Sequence, residues 1–249
     1  MAERFAEHGA RVVLAGRRQE KLDEAKAAIE SAGGMAATAA LDVRDYPAVE
    51  QAFRRAHEDW GPFDIVLAGA AGNFPAPVAG MSSNGFKAVI DIDLLGTFHT
   101  VRAAHEHLRM PGASVLAISA AQATVPLPFQ AHVCAAKAGV EMLIKTLAVE
   151  WGPDGVRCNL ITPGPTADTE GMSRLAPTEE IQNGVKATVP LRRFGTKDEL
   201  ADLALFLCSG AAAYITGATF VCDGGQSLSR SGGSMGAAWN AMKPKRSSS

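Results

Sequence analysis

Apolar and polar positions along this chain change period many times, and the changes alternate helix with strand. Residues 1–8 read as the end of a helix stopped by Gly9, and Arg11–Ala15 as a short apolar strand. An Ala/Glu/Lys-rich helix over 18–32 closes at Gly33-Gly34, a strand follows at Thr38–Leu41, and 46–59 is again helical. Ile65–Ala68 is a fully apolar strand leading into a loop of Gly, Ala, Asn and Pro. Helices over about 83–109 precede the strand Ser114–Ile118, and the long apolar helix 131–151 precedes the strand Val156–Ile161. The region 163–196 is irregular, with a helix near 178–186; a helix at 197–208 and a strand at Thr219–Cys222 complete the pattern. Strands spaced by helices in this way are parallel and joined by crossovers. The expected fold is therefore α/β, a doubly wound Rossmann-like sheet in a single domain over 1–228, with a flexible tail at 229–249. Ligands in such sheets sit beyond the carboxyl ends of the strands.

Composition narrows the class without choosing a function. The 249 residues are 47% hydrophobic, enough for a full core. A net charge of −2 and a pI near 6.3 argue against nucleic acid as a partner. Cys134, Cys158, Cys208 and Cys222 form no CxxC pair and lie in apolar segments, which reads as structural thiols in a reducing, cytoplasmic setting. The six histidines show no ligand spacing, so no metal is expected. No apolar run reaches the roughly 18 residues of a membrane span, and the first residues lack the apolar core of a signal peptide.

The chemistry concentrates around Lys137, in Phe129-Gln-Ala-His-Val-Cys-Ala-Ala-Lys137-Ala-Gly139, with Asn159 and Pro163-Gly164 downstream. This arrangement resembles the active-site helix and following loop of short-chain dehydrogenases/reductases. Those enzymes place a Tyr four residues before the Lys and a Ser about seventeen before it. Here the places hold Val133 and Ala120, with Ser119 one residue out of register, and the two tyrosines, Tyr46 and Tyr214, lie elsewhere. The resemblance also implies a first strand ending in a Gly-rich turn whose N–H groups meet the cofactor pyrophosphate. No such turn precedes Arg11. Ser231-Gly232-Gly233-Ser234-Met235-Gly236-Ala237 looks similar but follows no apolar strand and reads as tail. The first strand of the fold is accordingly expected to be missing, its absence leaving backbone groups whose burial costs roughly 1–3 kcal/mol each. A mis-set start or a truncated product would account for it.

Within the resemblance, Arg17 and Arg18 follow the strand Val12–Ala15 where an NAD-preferring enzyme carries an acid, which implies NADPH with a 2′-phosphate paired to a guanidinium. The bland alternative is a pair of solvated charges. Asp42, with Val43, is placed to accept from the adenine amino group, or equally to cap a helix. Ala70 and Gly72 are small enough for close backbone approach to the cofactor, and Pro163-Gly164 matches the nicotinamide loop. Ala70-Ala71-Gly72-Asn73-Phe74, Asp91-Ile92-Asp93-Leu94-Leu95-Gly96-Thr97-Phe98, Ala135-Ala136-Lys137-Ala138 and Pro163-Gly164-Pro165 together resemble the peroxisomal-type 2,4-dienoyl-CoA reductases, a branch that also lacks the tyrosine. The branch implies Asp93 and Lys137 as catalytic groups, Lys137 also on the nicotinamide ribose, Asn73, Phe74 and Ser82 as substrate contacts, a fatty acyl-CoA substrate and a homotetramer. The ending Arg246-Ser-Ser-Ser249 is no peroxisomal address. Alternatives are a non-catalytic relic serving as a binding or assembly subunit, and a generic carbonyl reductase, which the absent Tyr weakens. Asp93 as a helix-packing acid and Lys137 as a surface lysine are the bland readings of those two residues.

Overall fold

The structure is a computed structural model that describes residues 1–229; the expected tail and the Ser231–Ala237 stretch lie outside the described residues. The described chain groups into two compact units, Met1–Pro163 with Lys197–Val221, and Gly164–Thr196 with Cys222 onward.

In the larger unit, helix α1 (Ala2–Glu7) ends where Gly9 takes a φ of 85°, a conformation that glycine adopts without a Cβ penalty. Strand β1 (Arg11–Gly16) and helix α2 (Gln19–Ser31) follow, then strand β2 (Met35–Ala40), helix α3 (Tyr46–Trp60) and strand β3 (Ile65–Ala68). The Asp45 carboxylate accepts the Ala48 N–H at 3.3 Å at the start of α3, where Pro47 suits the first turn. Beyond β3 come helix α4 (Ser83–Val89), a π-helical turn over Ile90–Leu95, helix α5 (Gly96–Ala104), strand β4 (Ser114–Ile118), helix α6 (Ala131–Glu150) and strand β5 (Arg157–Pro163). Two helices, α7 (Glu170–Leu175) and α8 (Glu179–Thr188), belong to the smaller unit. Helix α9 (Lys197–Cys208) and strand β6 (Thr219–Cys222) return to the larger one, and a last turn of helix covers Gln226–Ser229.

The α/β class with parallel strands and crossover helices is as expected, but the strands form two sheets. β1 pairs with β2 in parallel, Arg11 opposite Met35 through Gly16 opposite Ala40; the other sheet has the order β3-β4-β5-β6, with β3, β4 and β5 parallel. Strand β4 is at its centre, and its side chains divide between faces with the period of two that a strand imposes. Val115 and Ala117 join Val101, Ala104, Val140, Ile144 and Leu147 on the side of α5 and α6. Leu116, with Ile161, joins Phe5, Ala204 and Leu207 on the side of α1 and α9, where Val12, Ile65 and Leu67 also pack. Between β1 and β3 runs a groove of about 480 Å³, lined by Val12, Val13 and Leu14 on one side and Ile65, Val66 and Leu67 on the other. Residues 2–7, ahead of β1, are helical, so the described chain has no strand and glycine turn in that place.

Several boundaries differ from expectation. β2 begins at Met35 because register with Arg11 carries it there, although Met-Ala-Ala has little β-branched character. The helical stretch near 83–109 is broken by the π turn, and α7 was not anticipated; the Thr169 hydroxyl caps it by accepting the Met172 N–H at 3.2 Å. In the smaller unit, Thr166 bridges Gly195 and the Gln226 amide reaches the Thr188 hydroxyl at 2.9 Å. Among the described residues no helix is long and apolar enough to cross a membrane, and no group of His, Cys, Asp or Glu is arranged for a metal ion. None of the four cysteines forms a disulfide among the described residues, and burial pushes the Cys158 thiol up to about 12 and the Cys208 thiol to about 11, values of inert core thiols.

Candidate active site

Asp93 lies on the π turn, where one extra residue per turn rotates the following positions; such turns recur at functional sites. Its side chain is fully buried. One carboxylate oxygen accepts the Gly72 N–H at 2.6 Å, and the backbone carbonyl accepts the Thr97 hydroxyl at 2.6 Å. Its other oxygen faces the Lys137 ammonium at 3.3 Å. Lys137, 5% exposed, also donates to the Ile118 carbonyl at the end of β4, at 3.0 Å. A buried pair of this kind survives only if its members are held. The holding is visible: a Cβ on Gly96 would come within 2.6 Å of Val43, and one on Gly139 within 2.8 Å of Leu94. Gly139 lets α6 close on the π turn, and Gly96 lets the loop at Val43 lie against the start of α5. Burial holds the Asp93 carboxyl above the usual carboxylate range, opposed by the Lys137 charge and the Gly72 amide. The result is an acid that keeps its proton to higher pH, beside a cation that receives it once ionised. Asp93 and Lys137 are thus neither a solvated surface lysine nor a packing acid satisfied by local donors alone.

Val133 occupies the usual tyrosine place and is buried with Val89 and Ala136, so no phenol stands there. Tyr46 packs edgewise near His99 at the start of α3, and Tyr214 is fully exposed. Ser119 is no stand-in for the missing serine: its hydroxyl donates to Glu141 at 2.8 Å, and Glu141 pairs with Lys145 at 3.1 Å. Gly72 is brought to the pair, and the loop continues through exposed Asn73 to Phe74, whose ring packs on His132 with centroids 4.5 Å apart. His132 was not singled out in the sequence, where histidines were weighed only for metal spacing. A histidine inside an otherwise apolar helix, one residue before Val133, is the signal that marks it.

The remaining positions lie around this centre or apart from it. Arg17 is exposed just past β1, and Arg18 stands at the N-terminus of α2. Asp42 caps no helix, since Asp45 does; its carboxylate takes the Arg44 guanidinium at 2.6 and 2.9 Å and the Arg44 N–H at 3.0 Å. Arg44 holds it down at about 2. The Val43 carbonyl accepts from His99 Nδ1 at 2.7 Å, while Ala70 is half-buried beside the Gly72 turn. The Ser82 hydroxyl accepts the Gly85 N–H at 3.0 Å and so caps α4. Asn159 is buried in β5 with both amide ends engaged, donating to the Ile215 carbonyl at 2.8 Å and accepting the Ala218 N–H at 3.0 Å; it ties β5 to the approach to β6. Pro163 closes β5. In the smaller unit Gly164 donates to the Cys222 carbonyl, and a Cβ there would meet the Asp223 backbone at 2.5 Å.

Known proteins are similar to this chain in sequence and fold. The family model described as enoyl-(acyl carrier protein) reductase matches residues 1–227. A peroxisomal 2,4-dienoyl-CoA reductase of Saccharomyces cerevisiae, named as (3E)-enoyl-CoA-producing, is 42% identical over 87% of this chain and 75% of its own. A probable 2,4-dienoyl-CoA reductase of Bacillus subtilis, named as (2E)-enoyl-CoA-producing, is 40% identical over 92% of this chain and 91% of its own. Among solved structures, a short-chain dehydrogenase from Bacillus anthracis superposes with a TM-score of 0.83 at 41% identity, covering 90% of this chain and 89% of that one. A gluconate 5-dehydrogenase from Burkholderia cenocepacia, solved with NADP and tartrate, gives 0.84 at 27% identity, covering 91% and 89%. With its parallel sheets, its buried lysine on α6 and these likenesses, the chain belongs to the short-chain dehydrogenase/reductase family of oxidoreductases.

Proposed function

We propose that this protein is a 2,4-dienoyl-CoA reductase that uses NADPH, acting on unsaturated fatty acyl-CoA in β-oxidation. The observation that carries the reading is the buried Asp93–Lys137 pair, 3.3 Å apart, beside Val133 where a tyrosine acid would stand. The names of the yeast and Bacillus relatives point to the same reaction.

The site suits the cofactor at its two ends. Lys137, buried and close to the turn at Gly72, would hold the nicotinamide ribose; a Cβ at Gly72 would lie 3.1 Å from Ile92, so the turn is packed to its limit without one. Arg17, exposed past β1, would pair with a 2′-phosphate, with Arg18, Asp42, Val43 and Ala70 along the adenosine side. Pro163 and Gly164 are proposed for the nicotinamide loop, and Asn73, Phe74 and Ser82 for the acyl side. Bound NADPH would supply a hydride to the far end of the conjugated thioester.

Ketone reduction needs a proton at the carbonyl oxygen beside the carbon that takes the hydride. Reduction of a dienoyl thioester instead moves charge to a distant oxygen and wants a proton on carbon. Asp93, whose burial raises its carboxyl above the usual carboxylate range, can release a proton through a water, and its carboxylate then lies against Lys137. The lysine charge also favours the anionic form of the substrate. Cysteines outside any disulfide suit a reducing cytoplasm, and a homotetramer is proposed from the exposed apolar positions of α6. The groove between β1 and β3 favours one competing reading, a non-catalytic binding subunit.

NADPH oxidation with 2,4-hexadienoyl-CoA, run beside a simple 3-oxoacyl-CoA, tests the assignment. Turnover of the diene and not the ketone is expected. Turnover of the ketone alone would replace it with carbonyl reduction, and turnover of neither would leave the binding subunit.

A further inference from the structure

Of the seven buried side-chain polar atoms in the larger unit that lack a hydrogen-bond partner among the described residues, three belong to two side chains at this centre: Asp93 Oδ2 and both ring nitrogens of His132. His132 is fully buried, and a buried donor or acceptor left unmet is costly. Orphans of this kind call for a specific reason. The ring cannot turn away to water. Its position in the first turn of α6 is fixed by a tilted ring contact with Phe74, centroids 4.5 Å apart. Phe74 is two residues past Gly72, whose N–H holds the other oxygen of Asp93. The same short loop therefore clamps the imidazole from one side and the carboxylate from the other. The imidazole lies near enough to influence the ionisation of that carboxylate.

We propose that His132 is a positioning residue for the Asp93 acid, its imidazole and Asp93 Oδ2 sharing one bound water that delivers the proton. The inference rests on the dienoyl-CoA reading for the proton's destination, though the His132–Asp93 coupling does not. Three polar neighbours suit a buried water: the carboxylate oxygen, an imidazole nitrogen and the Lys137 ammonium, which has three N–H groups and spends one on Ile118. In the step itself, the electron pair of the dienolate forms the new C–H bond as a water O–H breaks. The water regains a proton from the Asp93 carboxyl, whose O–H breaks in turn and leaves a carboxylate facing Lys137. His132 gives up no proton; it fixes the direction of the water.

Two measurements test this on the whole protein. In the ligand-free state, the imidazole ¹⁵N chemical shifts of His132 should change on Asp93→Asn, because the shared water loses the carboxyl it is bonded to; identical shifts would overturn the coupling. In steady state, His132→Phe keeps the ring contact with Phe74 but removes both nitrogens. It should lower kcat with 2,4-hexadienoyl-CoA by roughly 10–100-fold, the range for removing a group that orients a reacting one, with KM little changed. His132→Gln, which keeps a hydrogen-bonding end, should recover part of the loss. An unchanged kcat in His132→Phe, or a rise in KM alone, would overturn the proposal. If the wild type does not turn over the diene, the functional reading falls and the ¹⁵N shifts still decide whether His132 and Asp93 are coupled. Should His132→Phe fail to fold, His132→Gln decides: full wild-type kcat supports a water held by any polar end, and a loss as large as that of Asp93→Asn overturns a merely positioning role.

Discussion

Asp93 is stabilised as a neutral acid and strained as an anion, and that asymmetry has a measurable sign. A carboxyl whose folded pKa lies above its unfolded value penalises folding once the unfolded chain ionises. The penalty is absent at pH below the unfolded value of 3.8 and grows as the pH rises toward the folded pKa. Asp93→Asn keeps the shape and the acceptor for Gly72 while removing the charge. It should therefore melt no lower than wild type at pH 7, and any advantage should shrink by pH 4, as a calorimetric series would show. Its kcat should fall by roughly 10²–10⁴-fold, the worth of a general acid. Stability kept while activity is lost marks a residue retained for chemistry. Arg17 answers to a different measurement. Arg17→Ala should erode the preference for NADPH over NADH in kcat/KM by about 1–3 kcal/mol, the range of a charge-assisted hydrogen bond; an unchanged ratio would remove Arg17 from the cofactor site. The pair Asp93 and Lys137 was legible in the sequence because the short motifs around each are ordered and spaced as in the family. His132 was not, since its meaning lies in what faces it across the loop at Gly72–Phe74, and no period along the chain records that.

Among the elements, strands were read best where an apolar run is bounded by turns. Ile65–Ala68, Ser114–Ile118 and Thr219–Cys222 have the expected bounds because apolar runs flanked by turns leave little choice. Asp42 shows the limit: residue type allowed a cap or an adenine contact, and the ion pair to Arg44 two residues on is a local alternative that neither reading weighed. The π turn at Ile90–Leu95 was invisible, since its apolar and acidic residues continue the helical pattern on either side. What permits the turn is packing at Gly96, and this can be tested. Gly96→Ala places a methyl within 2.6 Å of the β-branched Val43, which cannot swing clear as a longer chain would. Overpacking of that kind costs about 1–3 kcal/mol, so the variant should unfold at lower denaturant and lose activity by shifting Asp93. Wild-type stability would mean that the loop at Val43 yields freely.

At the scale of the molecule, α6 is apolar nearly all round, yet its face toward β4 and β5 is buried within the unit, including Val140, Ile144, Leu147 and Ala148. What remains outside is a stripe of Ala135, Ala138, Met142 and Val149, the last two 65% and 78% exposed, with Leu95 and Phe98 of the preceding helices also exposed. Such a stripe suits a symmetric contact between copies. Light scattering at micromolar concentration should find a tetramer, and Met142→Glu should dissociate it; a monomeric wild type would contradict the assembly. The groove between β1 and β3 has another consequence. Among the described residues no backbone ladder joins the two sheets, so β1–β2, which leads to Arg17, is coupled to the sheet beneath Asp93 and Lys137 through side chains such as Val12, Ile65 and Leu67. Side-chain packing alone lets one part open without the other. Amide hydrogens of β1 and β2 should then exchange with deuterium well before those of β4 and β5, as a separate cooperative unit, and a coenzyme that grips Arg17 at one end and Lys137 at the other should slow the two to a common rate.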